Sequence, residues 1–167
     1  PCEFPERIGS ADFFTGEGEY IPKKPGRHMW ETNFVPALDK FELKQWDARG
    51  GGSSNIMFVL ADGTMHAHCS EMPVGTYKKA HKHGPGAHLI LLSGDAGYSL
   101  LWQNDDRSDM RRAGWKAGAM VIVPGAGTVH QHFNSGTRRA RYLALKGGSH
   151  GLVRPYGGSY GTGSKSM

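Results

Sequence analysis

Nine histidines stand at positions 28, 66, 68, 81, 83, 88, 130, 132 and 150 of the 167-residue chain, and five of them form two compact groups. His81 and His83 are two residues apart, so on a strand both imidazoles point to one face. Gly84, Pro85 and Gly86 then supply a turn that returns the chain to His88 on the next strand. Far along the chain, Pro124, Gly125, Ala126 and Gly127 form another turn before Val129-His130-Gln131-His132-Phe133-Asn134, where His130 and His132 again share a face. Neutral imidazoles ligate transition metals and carry protons near neutral pH. Nitrogens of His81, His83 and His88 can therefore converge, with His130 making a fourth available, the donor type that a metal centre uses, and His132 could orient a ligand or act as acid or base.

Such residues need rigid strands to position them. Gly accounts for 25 residues, roughly twice the usual ~7 % share. From Gly50 onward it punctuates short apolar segments, at 55–62, 64–73, 87–93, 98–102, 119–123, 129–134 and 139–146. Their length and their Val, Ile, Leu and aromatic content read as an all-β sandwich or barrel. Residues 1–36, with Pro5, Pro22, Pro25 and Pro36, read as an irregular N-terminal arm packed on the barrel or on a partner subunit. The barrel itself is expected over 37–147, and 38–46 is read as a strand although Leu38 and Phe41 also suit a helix. Residues 148–167, rich in Gly and Ser, read as a flexible tail whose beginning Leu152, Val153 and Tyr156 could pin down.

The ordered elements around these histidines resemble the cupin superfamily. Gly75, five residues, His81-Lys82-His83, four residues, His88 and then Gly94 follow its first motif. Gly118, Pro124, Gly127, His130 and Asn134 follow its second, so the resemblance spans roughly residues 71–134. It implies a small antiparallel barrel of jelly-roll type holding one mononuclear metal, and a homodimer formed through an edge strand or the N-terminal arm. The chain departs from the pattern at one ligand, where His88 replaces the usual glutamate. All seven glutamates lie at or before Glu71, and Asp95, beyond the Gly94 turn, is the only nearby acidic substitute. A site of three or four histidines is the inference, with His88 a ligand or a residue beside one.

Residue type does not choose among Fe(II), Mn(II), Ni(II), Cu(II) and Zn(II). The resemblance favours an Fe(II)-dependent dioxygenase, with O2 and a small metal-chelating organic molecule as its partners. A non-redox isomerase or lyase using Mn, Ni or Zn, and a non-catalytic ligand-binding protein, are the alternatives. Losing a carboxylate ligand leaves the site more positive, which attracts an anionic or bidentate oxygen ligand. Phe58, Tyr98, Trp102 and Phe133 are candidates to wall an apolar pocket, although aromatics in a small barrel are more often core.

Three further features carry alternatives. His66 and His68 share one face of a strand and Met65, Ala67 and Cys69 the other; an inward apolar face puts the histidines at the surface or a subunit contact, the favoured reading, and the reverse puts them in the cavity. Asn134 is read as a turn or supporting residue. Arg139 and Arg141 form either a solvated edge or a clamp for a carboxylate.

Composition excludes other classes. No apolar run approaches the ~20 residues of a membrane span. The formal charge of +5 comes from scattered basic residues without a DNA-reading helix or aromatic stacking platform, so no nucleic-acid role is expected. Two distant cysteines, Cys2 and Cys69, make no zinc finger or redox pair and fit a reducing compartment; with no leader pattern at the start, the cytoplasm is expected. Neither a phosphate-binding glycine loop nor a Gly-x-Ser-x-Gly elbow occurs.

Overall fold

A computed structural model describes residues 15–16, 18–22, 28–60, 65–82, 86–125, 127–147 and 165–166. Its strands are β1 (Glu19–Pro22), β2 (His28–Glu31), β3 (Lys44–Gln45), β4 (Ser54–Leu60), β5 (Met65–Met72), β6 (His81–Lys82), β7 (Ala87–Ser93), β8 (Gly97–Trp102), β9 (Arg111–Trp115), β10 (Met120–Val123), β11 (Val129–Phe133), β12 (Ala140–Gly147) and β13 (Lys165–Ser166). They form an eight-stranded sheet ordered β1-β2-β4-β5-β12-β7-β10, with β3 on β4, and a five-stranded sheet ordered β13-β6-β11-β8-β9. Pairing is antiparallel except where β2 runs parallel to β4. The expected all-β jelly-roll architecture is the one observed.

The arm and the tail differ from expectation. Residues 19–22 and 28–31 are not irregular: they pair with each other and extend the large sheet through β4. Only Lys44–Gln45 of the 38–46 segment is strand, followed by a 3-10 turn over Asp47–Arg49. Lys165 and Ser166, in the segment read as a flexible tail, pair with Lys82 and His81. β9 lies outside the expected strands, because its Arg-Arg-Ala-Gly-Trp sequence lacks β-branched residues and carries Gly114.

The large sheet is buried on its inner face and, over β4, β5 and β12, on its outer face as well. On its outer face Ile56, Phe58, Ala67 and Cys69 pack with Leu143, Leu145, Trp30 of the arm and Leu38, Phe41 and Leu43 of the segment that continues it. Phe41 bridges this layer, edge-on to both Trp30 and Phe58. Arg141 ties it down: Nη1 donates to the carbonyls of Leu38, Asp39 and Phe41 at 2.9, 2.7 and 3.2 Å, and Nε donates to Glu71 at 3.0 Å. The inner face, two-residue alternation away, packs Met72, Leu89, Leu91, Val121, Val123, Tyr142 and Ala144 with Trp115 of the second sheet. Gly97 permits that contact, since a Cβ there would stand 2.7 Å from the Trp115 ring and 2.7 Å from the Phe133 carbonyl. Among the described residues no helix is long and apolar enough to cross a membrane.

Candidate functional site

β6 and β11 are antiparallel neighbours, and their register sets His81 directly opposite His130. The two ring centroids are 4.2 Å apart. Alternation along β11 brings His132 to the same side, 5.2 Å from His130 and 6.2 Å from His81. All three are buried between the sheets.

Each imidazole is oriented through Nδ1. Nδ1 of His81 lies 2.8 Å from the Lys79 carbonyl, and Nδ1 of His130 lies 3.4 Å from the Thr128 carbonyl. A carbonyl can only accept, so both rings carry the proton on Nδ1 and the lone pair on Nε2, the arrangement that metal-binding histidines use. His132 is held differently: its Nδ1 meets Ser99 Oγ at 2.8 Å, and Ser99 Oγ also accepts the Trp115 indole N–H at 2.9 Å. Ser99 is fully buried. Its hydroxyl proton is satisfied by donation to His132 Nδ1, which leaves the His132 proton on Nε2 as a donor.

Burial pushes the His130 pKa down to about 4, with Lys146 and Arg49 adding to the fall and the Thr128 carbonyl opposing it. The ring is thus neutral near pH 7, as a ligand must be. Tyr142 lines the same space, its ring 5.6 Å from His132 and 6.0 Å from His68. Burial raises its hydroxyl to about 12 against the opposing hydrogen bond from Ser70, so it remains protonated.

The structure brings His81, His130 and His132 together, as their spacing suggested, and separates other candidates from them. His83 lies outside the described residues. His88 is exposed on β7, where Ala87, Leu89 and Leu91 are buried. It therefore faces away from His81 and His130, and the expectation that it completes the ligand set is corrected: Ala87 is the first inward position after the turn. Asp95 is no substitute, since its carboxylate accepts from the backbone N–H groups of Thr137 and Arg138 and from the Thr137 hydroxyl. Among the described residues no group of three or more His, Cys, Asp or Glu converges on a metal position. The described donors that fit a metal are the two imidazoles of His81 and His130.

The aromatic wall also needs correction. Phe58 belongs to the outer layer beneath the arm. Tyr98 and Phe133 stack 4.7 Å apart at alternate positions to Ser99 and His132, hence on the opposite face of the small sheet. Trp102 shares that alternation and lies under the Arg107 guanidinium, 5.1 Å from its ring centroid. Among the described residues the aromatics facing the histidines are Trp115 and Tyr142. His68 also faces inward, against Tyr142, contrary to the favoured reading; Ala67 and Cys69 do pack on an apolar layer, but the outer one. Side-chain placement of His66 lies outside the described residues. Asn134 is a supporting residue, donating to the carbonyls of Met72, Pro73 and Arg138 and accepting from the Gly136 N–H. Arg139 and Arg141 meet Glu71, with Arg141 clamping the arm.

Sequence reasoning missed Ser99, Trp115 and Tyr142. Alternation would have found Ser99 and Trp115 once β8 and β9 were paired, because Gly97 stands opposite Trp115 and Ser99 opposite Ala113 and His132.

No protein-family model and no curated protein matches the sequence. Solved structures match in fold. A cupin-like protein from Thermotoga maritima superposes with a TM-score of 0.54 at 16 % identity, over 77 % of this chain and 88 % of that one. The CENP-C cupin domain of Drosophila melanogaster gives 0.53 at 11 % identity, over 67 % and 74 %. Oxalate decarboxylase from Bacillus subtilis gives 0.57 at 16 % identity over 88 % of this chain, which spans 35 % of that longer one. The chain has the cupin fold; at these identities the likeness extends to the fold alone.

Proposed function

We propose that the protein is a metal-dependent cupin oxidoreductase, an Fe(II) dioxygenase acting on a small organic molecule that chelates the metal. The observation that carries this reading is the buried cross-strand pair of His81 and His130, each with Nδ1 on a backbone carbonyl and its lone pair on Nε2. His83, two residues beyond His81, is the third ligand on this reading. When bound, the metal would supply Lewis acidity and a place for O2 to meet an electron-rich substrate. The chain's own residues do the rest. His130 stays neutral, His132 offers an Nε2 proton to a substrate oxygen, and Trp115 and Tyr142 exclude water. A homodimer belongs to the same reading, with exposed Met120 and Ile122 of edge strand β10 as the apolar surface it would cover.

The His132–Ser99–Trp115 chain also suits a non-redox isomerase or lyase, where a proton held beside a polarised carbonyl is the main requirement. Elemental analysis of protein purified without added metal or chelator, followed by oxygen-electrode assays with chelating phenols, diketones and hydroxy acids, separates the readings. About one iron per chain with substrate-dependent O2 uptake is expected, and the His81→Ala/His130→Ala variant should lose the metal. Another metal without O2 uptake leads to the isomerase or lyase. No stoichiometric metal leaves a ligand-binding protein and overturns the proposal.

A further inference from the structure

The outside of the small sheet, the face turned away from the histidines, carries an ordered stack of rings. Tyr77 bridges to Phe133 and lies against it with ring centroids 5.9 Å apart. Phe133 in turn stacks on Tyr98 of β8 at 4.7 Å and 13°. The Arg112 guanidinium, from β9, lies 4.3 Å from the Tyr98 ring centroid. Because β11, β8 and β9 are successive neighbours, the stack runs across the sheet in the order Tyr77, Phe133, Tyr98, Arg112. Phe133 and Tyr98 have both ring faces covered within it. Its two ends are open: Tyr77 is 53 % exposed, and Arg112 is exposed as well. Each end presents a flat surface on which another planar group can lie. The four residues come from separate segments of the chain, so no such platform is visible in the sequence.

A second guanidinium is held in the same way. Trp102 lies four residues beyond Tyr98 on the same face of β8, about 13 Å along the strand. Arg107 lies over its ring, 5.1 Å from the centroid, and does so from a backbone at φ 60°, which residues with a long side chain seldom adopt. Backbone strain of this kind collects at ligand clamps. The segments that build the face, 73–82, 97–102, 111–115 and 129–133, contain no Asp or Glu and expose Lys79, Lys82, Arg111 and Arg112. Acidic residues occur only in the turn that carries Arg107. There Asp109 accepts from the Gln103 and Asn104 N–H groups, Asp106 accepts from that of Ser108, and Asp105 is exposed. Among the described residues no carboxylate pairs with any of these five cations. Such a face attracts a polyanion. A second copy of the chain would bring the same positive charge to it, and an acidic peptide would leave the open ends of the stack unused.

We propose that this face binds single-stranded nucleic acid with little sequence preference. Bases lie on the open ends of the stack, at Tyr77 and Arg112, and phosphates meet Arg107, Arg111, Lys79 and Lys82. Every base has a ring face, so stacking tolerates any sequence, while the cations follow the backbone. A duplex keeps its ring faces stacked inside and offers the platform only phosphates. The activity is independent of the metal reading, because His81, His130 and His132 project from the opposite side of β6 and β11.

The test is fluorescence anisotropy of the full chain with a labelled RNA strand of about 12 nucleotides and mixed sequence, the same strand in a duplex, and a labelled polyglutamate peptide of equal length. Each titration is run from about 50 to 200 mM salt and repeated on Tyr77→Ala, Tyr77→Phe, Arg112→Ala and Arg112→Lys. We expect the single strand to bind about tenfold or more tightly over duplex and peptide. Tyr77→Ala should weaken it about fivefold or more, and Tyr77→Phe, which keeps the ring, should not. Arg112→Ala should weaken binding and flatten the logarithmic salt dependence by about 0.7, the share of one phosphate. Arg112→Lys should restore the salt dependence but only part of the affinity, because the planar group is gone. Thermal melting and metal per chain should stay as in the unaltered protein for all four variants. No binding of the single strand, equal binding of the duplex or the peptide, or unchanged binding by Tyr77→Ala overturns the proposal. Equal weakening by Tyr77→Phe and Tyr77→Ala does so too, since stacking would not be the cause. So does a dimer in sedimentation that Tyr77→Ala dissociates, which would give the face to a second copy.

Discussion

The inner face of the large sheet and its outer face over β4, β5 and β12 are both buried, yet by opposite means. The outer face, under the arm, is an apolar layer of Ile56, Phe58, Ala67, Cys69 and Phe41, and its charged groups, Glu71 and Arg141, are paired with each other. The inner face joins an apolar floor around Leu89 and Val121 to a region of His68, Tyr142, Lys146 and the three clustered histidines. Cys69 shows how inert the outer layer is: burial raises its thiol to about 11, leaving almost no thiolate near pH 7. The lesson is a division of labour across one sheet thickness. Apolar packing on one side holds the strands in register, and that register aims polar groups into the other side.

Phe58→Ala is the strongest way to break this division. The ring is 1 % exposed and packs on Phe41, so truncation should cost about 3–5 kcal/mol in denaturant unfolding. The folded fraction should keep the metal stoichiometry of the unaltered protein. Loss of metal by fully folded Phe58→Ala would show that the two faces are not separable.

The inner face should respond to pH where the outer one does not. His130 titrates near 6.5 when unfolded and is lowered to about 4 in the fold, so between these values the unfolded chain binds more protons. Stability of the metal-free protein therefore falls as pH drops from about 6.5 to 4, by up to about 3 kcal/mol from this residue. Urea unfolding of the unaltered protein and His130→Gln across that window checks the sign. Equal slopes for the two would remove His130 as the cause.

How far the sequence revealed these faces depends on what alternation could resolve. The His81, His130 and His132 cluster was legible because turns before β7 and β11 and two-residue spacing leave few placements. His88 was misplaced because the length of the Gly84-Pro85-Gly86 turn decides whether His88 or Ala87 faces inward, and a one-residue slip flips a strand. His68 was misread because apolar alternation identifies a buried face without telling which of two buried faces it is. The arm, which creates the second one, reads as irregular from its prolines.

Arg141→Met sharpens the outer half of the comparison. It removes the donor shared by the Leu38, Asp39 and Phe41 carbonyls while keeping an apolar stem over Leu143. A loss of about 2 kcal/mol is expected, since three acceptors and Glu71 lose a mostly buried charged partner. Hydrogen exchange should rise in 38–43 and stay unchanged at 130–132. Faster exchange at both would mean that the arm supports the histidines directly.

His88→Glu carries the smallest expected effect and discriminates most sharply. The replacement would put a carboxylate where the cupin motif that the sequence resembles has one, so a ligand at 88 would change metal affinity and redox behaviour together. The structure leads to the opposite expectation, because residue 88 is exposed and pairs across β7 with Ile122 and Leu145 on the outward side. Stability should move by no more than about 0.5 kcal/mol, as for other surface substitutions, with metal per chain and identity unchanged. Ala87→Glu, one residue earlier, places the carboxylate on the inward side and should alter metal binding at some expense in packing. If position 88 responds and position 87 does not, the register of β7 is off by one and Ala87, not His88, faces solvent.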